Sequence, residues 1–134
     1  MKKVIFLLLA ISVFACQSKD TVSDEVLAEG DSLENPFIHS VYFWFKEGLS
    51  QEQLDSFYRD TEKLRQVEVV KALYTGKPAN TTRPIVERSY DFAVIVHFKD
   101  LAAHDAYQQD PIHLNLLEKH SDKWEKVMIT DVEN

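Results

Sequence analysis

Residues 37–45 read Phe-Ile-His-Ser-Val-Tyr-Phe-Trp-Phe, an aromatic and β-branched run between Pro36 and Gly48. That composition favours a pleated strand. Successive side chains alternate, so His39, Val41, Phe43 and Phe45 share one face and Ile38, Ser40, Tyr42 and Trp44 the other. Both faces are largely apolar and both need a cover. Helices from a chain of 134 residues can cover one. A second copy of the chain is the economical cover for the other, because an exposed apolar sheet face is an interaction surface.

Downstream, Ser50-Gln51-Glu52-Gln53 is a capping box. Leu54, Phe57, Tyr58, Thr61 and Leu64 follow at helical spacing, which predicts an amphipathic helix ending near Gln66. Val69–Tyr74 reads as a second strand, residues 77–89 as a loop with two prolines, and Tyr90–Phe98 as a third strand. Asp100 caps a short helix over 101–108. Asp110-Pro111 restarts the chain as N-cap and N1 of another helix, with His113, Leu116, Leu117, His120 and Trp124 on one stripe. Val127–Val132 closes the domain as a strand. The order is β-α-β-β-α-β with the second helix broken, an α+β, ferredoxin-like unit.

The chain is 45% hydrophobic and 28% charged, with 3 Gly and 4 Pro, which excludes collagen-like and low-complexity classes. A formal charge of −7 argues against nucleic acid as a partner, because no basic excess is present to release counterions. One cysteine excludes a disulfide framework and a thiolate zinc site.

That cysteine sits at the end of MKKVIFLLLAISVFAC. Lys2 and Lys3 form a positive start, and Val4–Ala15 is too short to cross a bilayer core, which takes roughly 20 residues. Residues 1–15 therefore read as a signal peptide. Val13-Phe14-Ala15-Cys16 resembles the lipobox of bacterial lipoproteins, which implies lipidation at Cys16 and a lipid-anchored protein of the cell envelope. In a diderm host the absence of Asp after the cysteine implies the outer membrane. A plain secretory signal with an incidental cysteine is the alternative. Residues 16–36 carry Asp20, Asp24, Glu25, Glu29, Asp31 and Glu34 against Lys19 alone, the composition of a flexible acidic tether. The globular domain is 37–132.

Four pieces of that domain resemble the Dabb family, the stress-responsive dimeric α/β-barrel. They are His39-x-Val41-x-Phe43-x-Phe45-Lys46-Glu47-Gly48; Gly76-Lys77; Ser89-Tyr90-Asp91 leading to Phe98-Lys99-Asp100; and Ala106-Tyr107-x-x-Asp110-Pro111-x-His113. The resemblance implies a homodimer whose two sheets pack face to face. It implies no fixed activity. One family enzyme is a cofactor-free plant polyketide cyclase, and its tyrosine and histidine map onto Tyr107 and His113, with His39 on the first strand. Phe92 and Asp110 stand where that pattern has further histidines. A pocket would then include His39 and Phe92.

Tyr107 and His113, six residues apart, would face away from each other on one unbroken helix. The break at Asp110-Pro111 lets both point at the sheet. His113 in the first turn meets the positive end of the helix, which favours a neutral imidazole fit to act as a base. Tyr107 would donate to a developing oxyanion. The competing reading makes His113 a core residue bonded to a backbone carbonyl, with the Tyr107 hydroxyl at the surface. His97 is expected on the face opposite Phe98. Neither His97 nor His120, the latter on the helix stripe, pairs at metal-ligand spacing with another histidine or carboxylate on its own element, so no metal is expected, and no cofactor. Lys77, Arg83 and Arg88 surround the 77–89 loop and would attract an anion only if they border the pocket. Two functions stay open: a binding or interaction module without chemistry, and a cofactor-free enzyme or binder of a small apolar or aromatic ligand using Tyr107 and His113.

Overall fold

The computed structural model describes residues 35–133. Residues 1–15, read above as a signal peptide, Cys16, and most of 16–36, read as an acidic tether, lie outside the described residues. Nine elements follow in chain order: β1 Phe37–Phe45, α1 Gln51–Glu62, a 3-10 turn Lys63–Gln66, β2 Ala72–Gly76, β3 Phe92–Phe98, α2 Leu101–Gln108, α3 Pro111–His120, a second 3-10 turn Ser121–Lys123 and β4 Trp124–Val132. The sheet order is β2-β3-β1-β4, and every pair is antiparallel. This is the ferredoxin-like α+β fold expected from the element order. No described helix is long and apolar enough to cross a membrane.

Each helix begins where its cap dictates. Ser50 and Gln53 exchange the reciprocal bonds of the capping box, at 3.2 and 2.8 Å. Asp100 accepts from the Ala103 N–H at 2.9 Å, and Asp110 from the Ile112 N–H at 2.8 Å. After β1 the chain turns through Gly48, at a φ of 81° that disfavours any side chain.

The strand edges differ from the sequence reading. β2 starts at Ala72, because Val67 to Val70 close a turn through a Val70 N–H to Val67 carbonyl bond of 3.0 Å. The two valines that read as strand are spent in that turn. β3 starts at Phe92; Tyr90 instead packs edge-on against Tyr42 at 5.1 Å. β4 begins three residues earlier than expected, at Trp124. A register shift against Trp44 and Phe45 inserts one extra residue there, so Trp124 pairs with Phe45 and Lys126 with Trp44. The bulge turns the Trp124 indole onto the helix-covered face, where simple alternation would have placed a charged residue.

All three helices cover the face that carries Phe37, His39, Val41 and Phe43, and the core lies between them and the sheet. Phe57, Leu64, Val96 and Phe98 are at most 1% exposed there. The opposite face carries Ile38, Ser40, Tyr42, Ile95, Met128 and Val132 in register across β3, β1 and β4. No described helix lies on it, and Tyr74, Met128 and Val132 are exposed. Its Trp44 end is not bare: the Lys126 ammonium sits 4.1 Å above the indole ring, and the indole N–H donates to Ser89 at 3.1 Å.

Candidate functional site

α2 ends at Gln108, and Asp110 adopts extended backbone before Pro111 opens α3. The change of direction brings Tyr107 and His113 together, with ring centroids 4.5 Å apart and planes at 39°. Both are buried, at 2% and 7% exposure. The alternative that left the Tyr107 hydroxyl at the surface does not describe this residue.

Together they line a cavity of about 140 Å³ between α3 and the sheet. His39, Gln108 and Trp124 contribute to its wall, and Val41, Phe43, Val94, Leu116, Val127 and Ile129 make the rest mostly apolar. An engineered apolar cavity of about 150 Å³ takes benzene, so this one fits a molecule of about one ring.

The polar atoms of the cavity have defined states. His113 Nδ1 lies 3.3 Å from the Gln108 carbonyl, which can only accept, so Nδ1 carries the proton and Nε2 keeps a lone pair. Burial lowers the His113 pKa, and the Gln108 carbonyl opposes this only in part. His39 repeats the pattern. Its Nδ1 donates to the Asp131 carboxylate at 2.7 Å across the β1–β4 pair, leaving Nε2 as acceptor. Burial lowers its pKa as well, against the pull of Asp131. For Tyr107, burial and then the charge of Asp110 push the hydroxyl pKa up. Among the described residues nothing hydrogen-bonds that hydroxyl. The site therefore offers a protonated phenol as donor and two neutral imidazoles as acceptors. The backbone bond foreseen for a merely structural His113 is present, and it also fixes the tautomer a base requires.

Phe92 does not line the cavity. It pairs with Phe43 one rung beyond Val94 on the same face and packs on Tyr58 and Phe57, at 4.7 and 5.7 Å. Lys77 and Arg88 border a separate depression with Phe45 and Tyr58, and Arg83 lies in a further one with Arg88. The basic loop has no part in the cavity wall. His120 belongs to a structural clamp: fully buried, it bonds Asp60 at 2.8 Å. His97 lies on the helix-free face, edge-on to Tyr74 at 5.5 Å.

Two neighbours of the site escaped the sequence reading. His104 stacks on Phe37 at 4.7 Å and stands 5.0 Å from His39, ring centre to ring centre. Its spacing of three from Tyr107 on one helix was the available signal. Asp131 carried none, since only the pairing of β4 with β1 brings it to His39. His39, His104 and Asp131 hold one donor atom each within 4.8 Å of one another. The expectation of no metal rested on spacing within single elements, and this group draws on three.

A four-stranded antiparallel sheet with one helix-covered face and a small polar-tipped cavity defines a ferredoxin-like, α/β-barrel type of domain. The family model described as "Stress responsive A/B Barrel Domain" matches residues 37–134, and the chain belongs to that family, Dabb. No curated protein matches the chain. Among solved structures it is similar to a dimeric ferredoxin-like protein of unknown function from Thermobifida fusca (18% identity, TM-score 0.62, 75% of this chain and 92% of that one). It is likewise similar to a Dabb family protein from Mesorhizobium loti (22%, 0.60, 73% and 95%). A hydroxynitrile lyase from Passiflora edulis is similar to the same degree (20%, 0.63, 74% and 93%). At these identities the likeness shows the fold.

Proposed function

We propose that this protein binds a small, mostly apolar molecule of about one ring, bearing a hydroxyl or carbonyl group, and transfers a proton to or from that group. The observation that carries the reading is that Tyr107 and His113, packed ring against ring, line one mostly apolar cavity. In a dry site a phenol O–H stabilises developing negative charge on oxygen far better than it would in water. The neutral His113, its Nδ1 proton held by Gln108, accepts a proton at Nε2. His39, steadied by Asp131, is a second acceptor on the same wall. The cavity is too small for an extended polyketide chain, which argues against cyclase-like chemistry in a single subunit. The hydroxynitrile lyase among the similar structures supports a small substrate on this scaffold.

Two further parts of the reading concern assembly and address. The helix-free sheet face pairs with the same face of a second copy; the dimeric Thermobifida fusca protein and the exposed Tyr74, Met128 and Val132 support this. Acylation at Cys16 then tethers the dimer to the envelope through the acidic segment, a reading supported by the sequence of residues 1–36.

Protein-observed NMR with labelled aromatic rings, run against a library of monocyclic alcohols, aldehydes and ketones, tests the cavity. The expected result is hits that shift the ring resonances of Tyr107, His113 and His39. Hits that leave these rings unmoved, or no hit at all, would overturn the reading.

A further inference from the structure

We infer that His39, His104 and Asp131 form a binding site for a first-row divalent transition metal ion, zinc being the reference case. The donor atoms of the three residues lie within 4.8 Å of one another. Bonds of about 2.0–2.2 Å around zinc place donors a little over 3 Å apart, so the longest edge has to close by up to about 1.5 Å. The His39–Asp131 edge, at 2.7 Å, is already short enough. Two imidazoles and one carboxylate suit zinc, cobalt or iron; calcium and magnesium prefer oxygen donors throughout.

Independent features of His104 point the same way. Its Nδ1 is buried and has no hydrogen-bond partner among the described residues, the Asp105 carboxylate standing off at 3.4 Å. Its other nitrogen lies 2.9 Å from the Gln108 side-chain amide. With the Gln108 amide turned so that its oxygen accepts from His104 Nε2–H, Nδ1 keeps a lone pair for a metal, the usual arrangement of a ligating imidazole and its outer-shell support. Phe37, stacked at 4.7 Å, and Phe98, at 5.6 Å, hold the ring in place. Asp131 is 42% exposed, which leaves an ion an entry path from solvent. On binding, the His39 proton moves from Nδ1 to Nε2 by way of solvent, the ring stays neutral, and metal bonds replace the His39–Asp131 hydrogen bond. Three protein donors leave a coordination position for water. The site adjoins the cavity through His39 but does not depend on any organic ligand.

The test uses the full chain, stripped by a chelator. Zn²⁺ is titrated in competition with a chromophoric chelator, and Co²⁺ is followed by its visible d–d absorption. One ion per chain and cobalt bands of low-symmetry coordination are expected. His104→Phe keeps the ring stack on Phe37 and removes both nitrogens; it should weaken Zn²⁺ by at least about 10-fold, the loss that removing even an outer-shell partner produces. Asp131→Asn should do the same, whereas His97→Gln, on the opposite sheet face, should bind as the wild type. Less than one equivalent bound would overturn the site, and so would His104→Phe binding like the wild type. Should His104→Phe fail to fold, the half-exposed Asp131→Asn decides the question by the same criterion.

Discussion

Replacing Asp60 by Ala should cost about 2–4 kcal/mol of stability at neutral pH. Asp60 sits on α1, 6% exposed. One carboxylate oxygen accepts from Lys63 at 2.7 Å; the other accepts from Lys119 at 2.6 Å and from His120 at 2.8 Å. The lysine side chains are half exposed and return to water when the carboxylate goes, so each bond contributes only about 0–1 kcal/mol. His120 has no such escape. It is fully buried, and its Nδ1 already lacks a partner, so no tautomer satisfies the ring once Asp60 is gone. A buried polar group left unsatisfied costs about 1–3 kcal/mol, and that cost dominates. The pH dependence has a definite sign. Burial alone would raise the Asp60 pKa, but Lys119, Lys63 and His120 together hold it far below the usual carboxylate range. A carboxylate with a depressed folded-state pKa stabilises fully above its unfolded value, about 3.9, and loses that contribution as pH falls through the folded value. Urea denaturation of wild type and Asp60→Ala at pH 7 and pH 3 should therefore show a gap that narrows in acid. A gap under about 1 kcal/mol at pH 7, or one unchanged at pH 3, would refute the reasoning. Because the clamp ties α1 to the end of α3, its loss also loosens the helix that carries His113.

Two other outcomes are expected. Ile95→Glu places a carboxylate at the centre of the helix-free face, opposite Ser40 and Tyr74 with no cation across the ladder; the variant should sediment as a folded monomer, and an unchanged dimer mass would contradict the proposed pairing. Cys16→Ser should abolish fatty-acid labelling and move the protein from the detergent phase to the aqueous phase, and equal labelling of both forms would remove the lipid anchor from the account.

The readable parts of this chain were those governed by neighbours in sequence. Phe37 to Phe45 announces a strand with two apolar faces through composition alone. Ser50, Asp100 and Asp110 announce helix starts because a cap acts within three residues. The kink that joins Tyr107 to His113 follows from a single proline and its preceding aspartate. The parts that escaped depend on partners far along the chain. Asp131 meets His39, and Asp60 meets His120, only after the sheet and helices have packed. The β4 bulge hid behind the charged run that follows Trp124, because an extra residue breaks the alternation by which strands are recognised. Phe92 shares its face with Val94, which reaches the cavity. Facing inward was legible; the height along the strand was not.

The central claim is that Tyr107 and His113 hold a small ligand in the cavity, and the measurement that tests it most directly is calorimetric affinity for the best monocyclic hit. Tyr107→Phe removes one hydroxyl and keeps the ring packing. It should weaken that hit by about 2–12-fold, the value of one neutral hydrogen bond of about 0.5–1.5 kcal/mol, with thermal stability unchanged. His113→Ala should weaken it further. Equal affinity for wild type and both variants, each shown to be folded, would contradict the account.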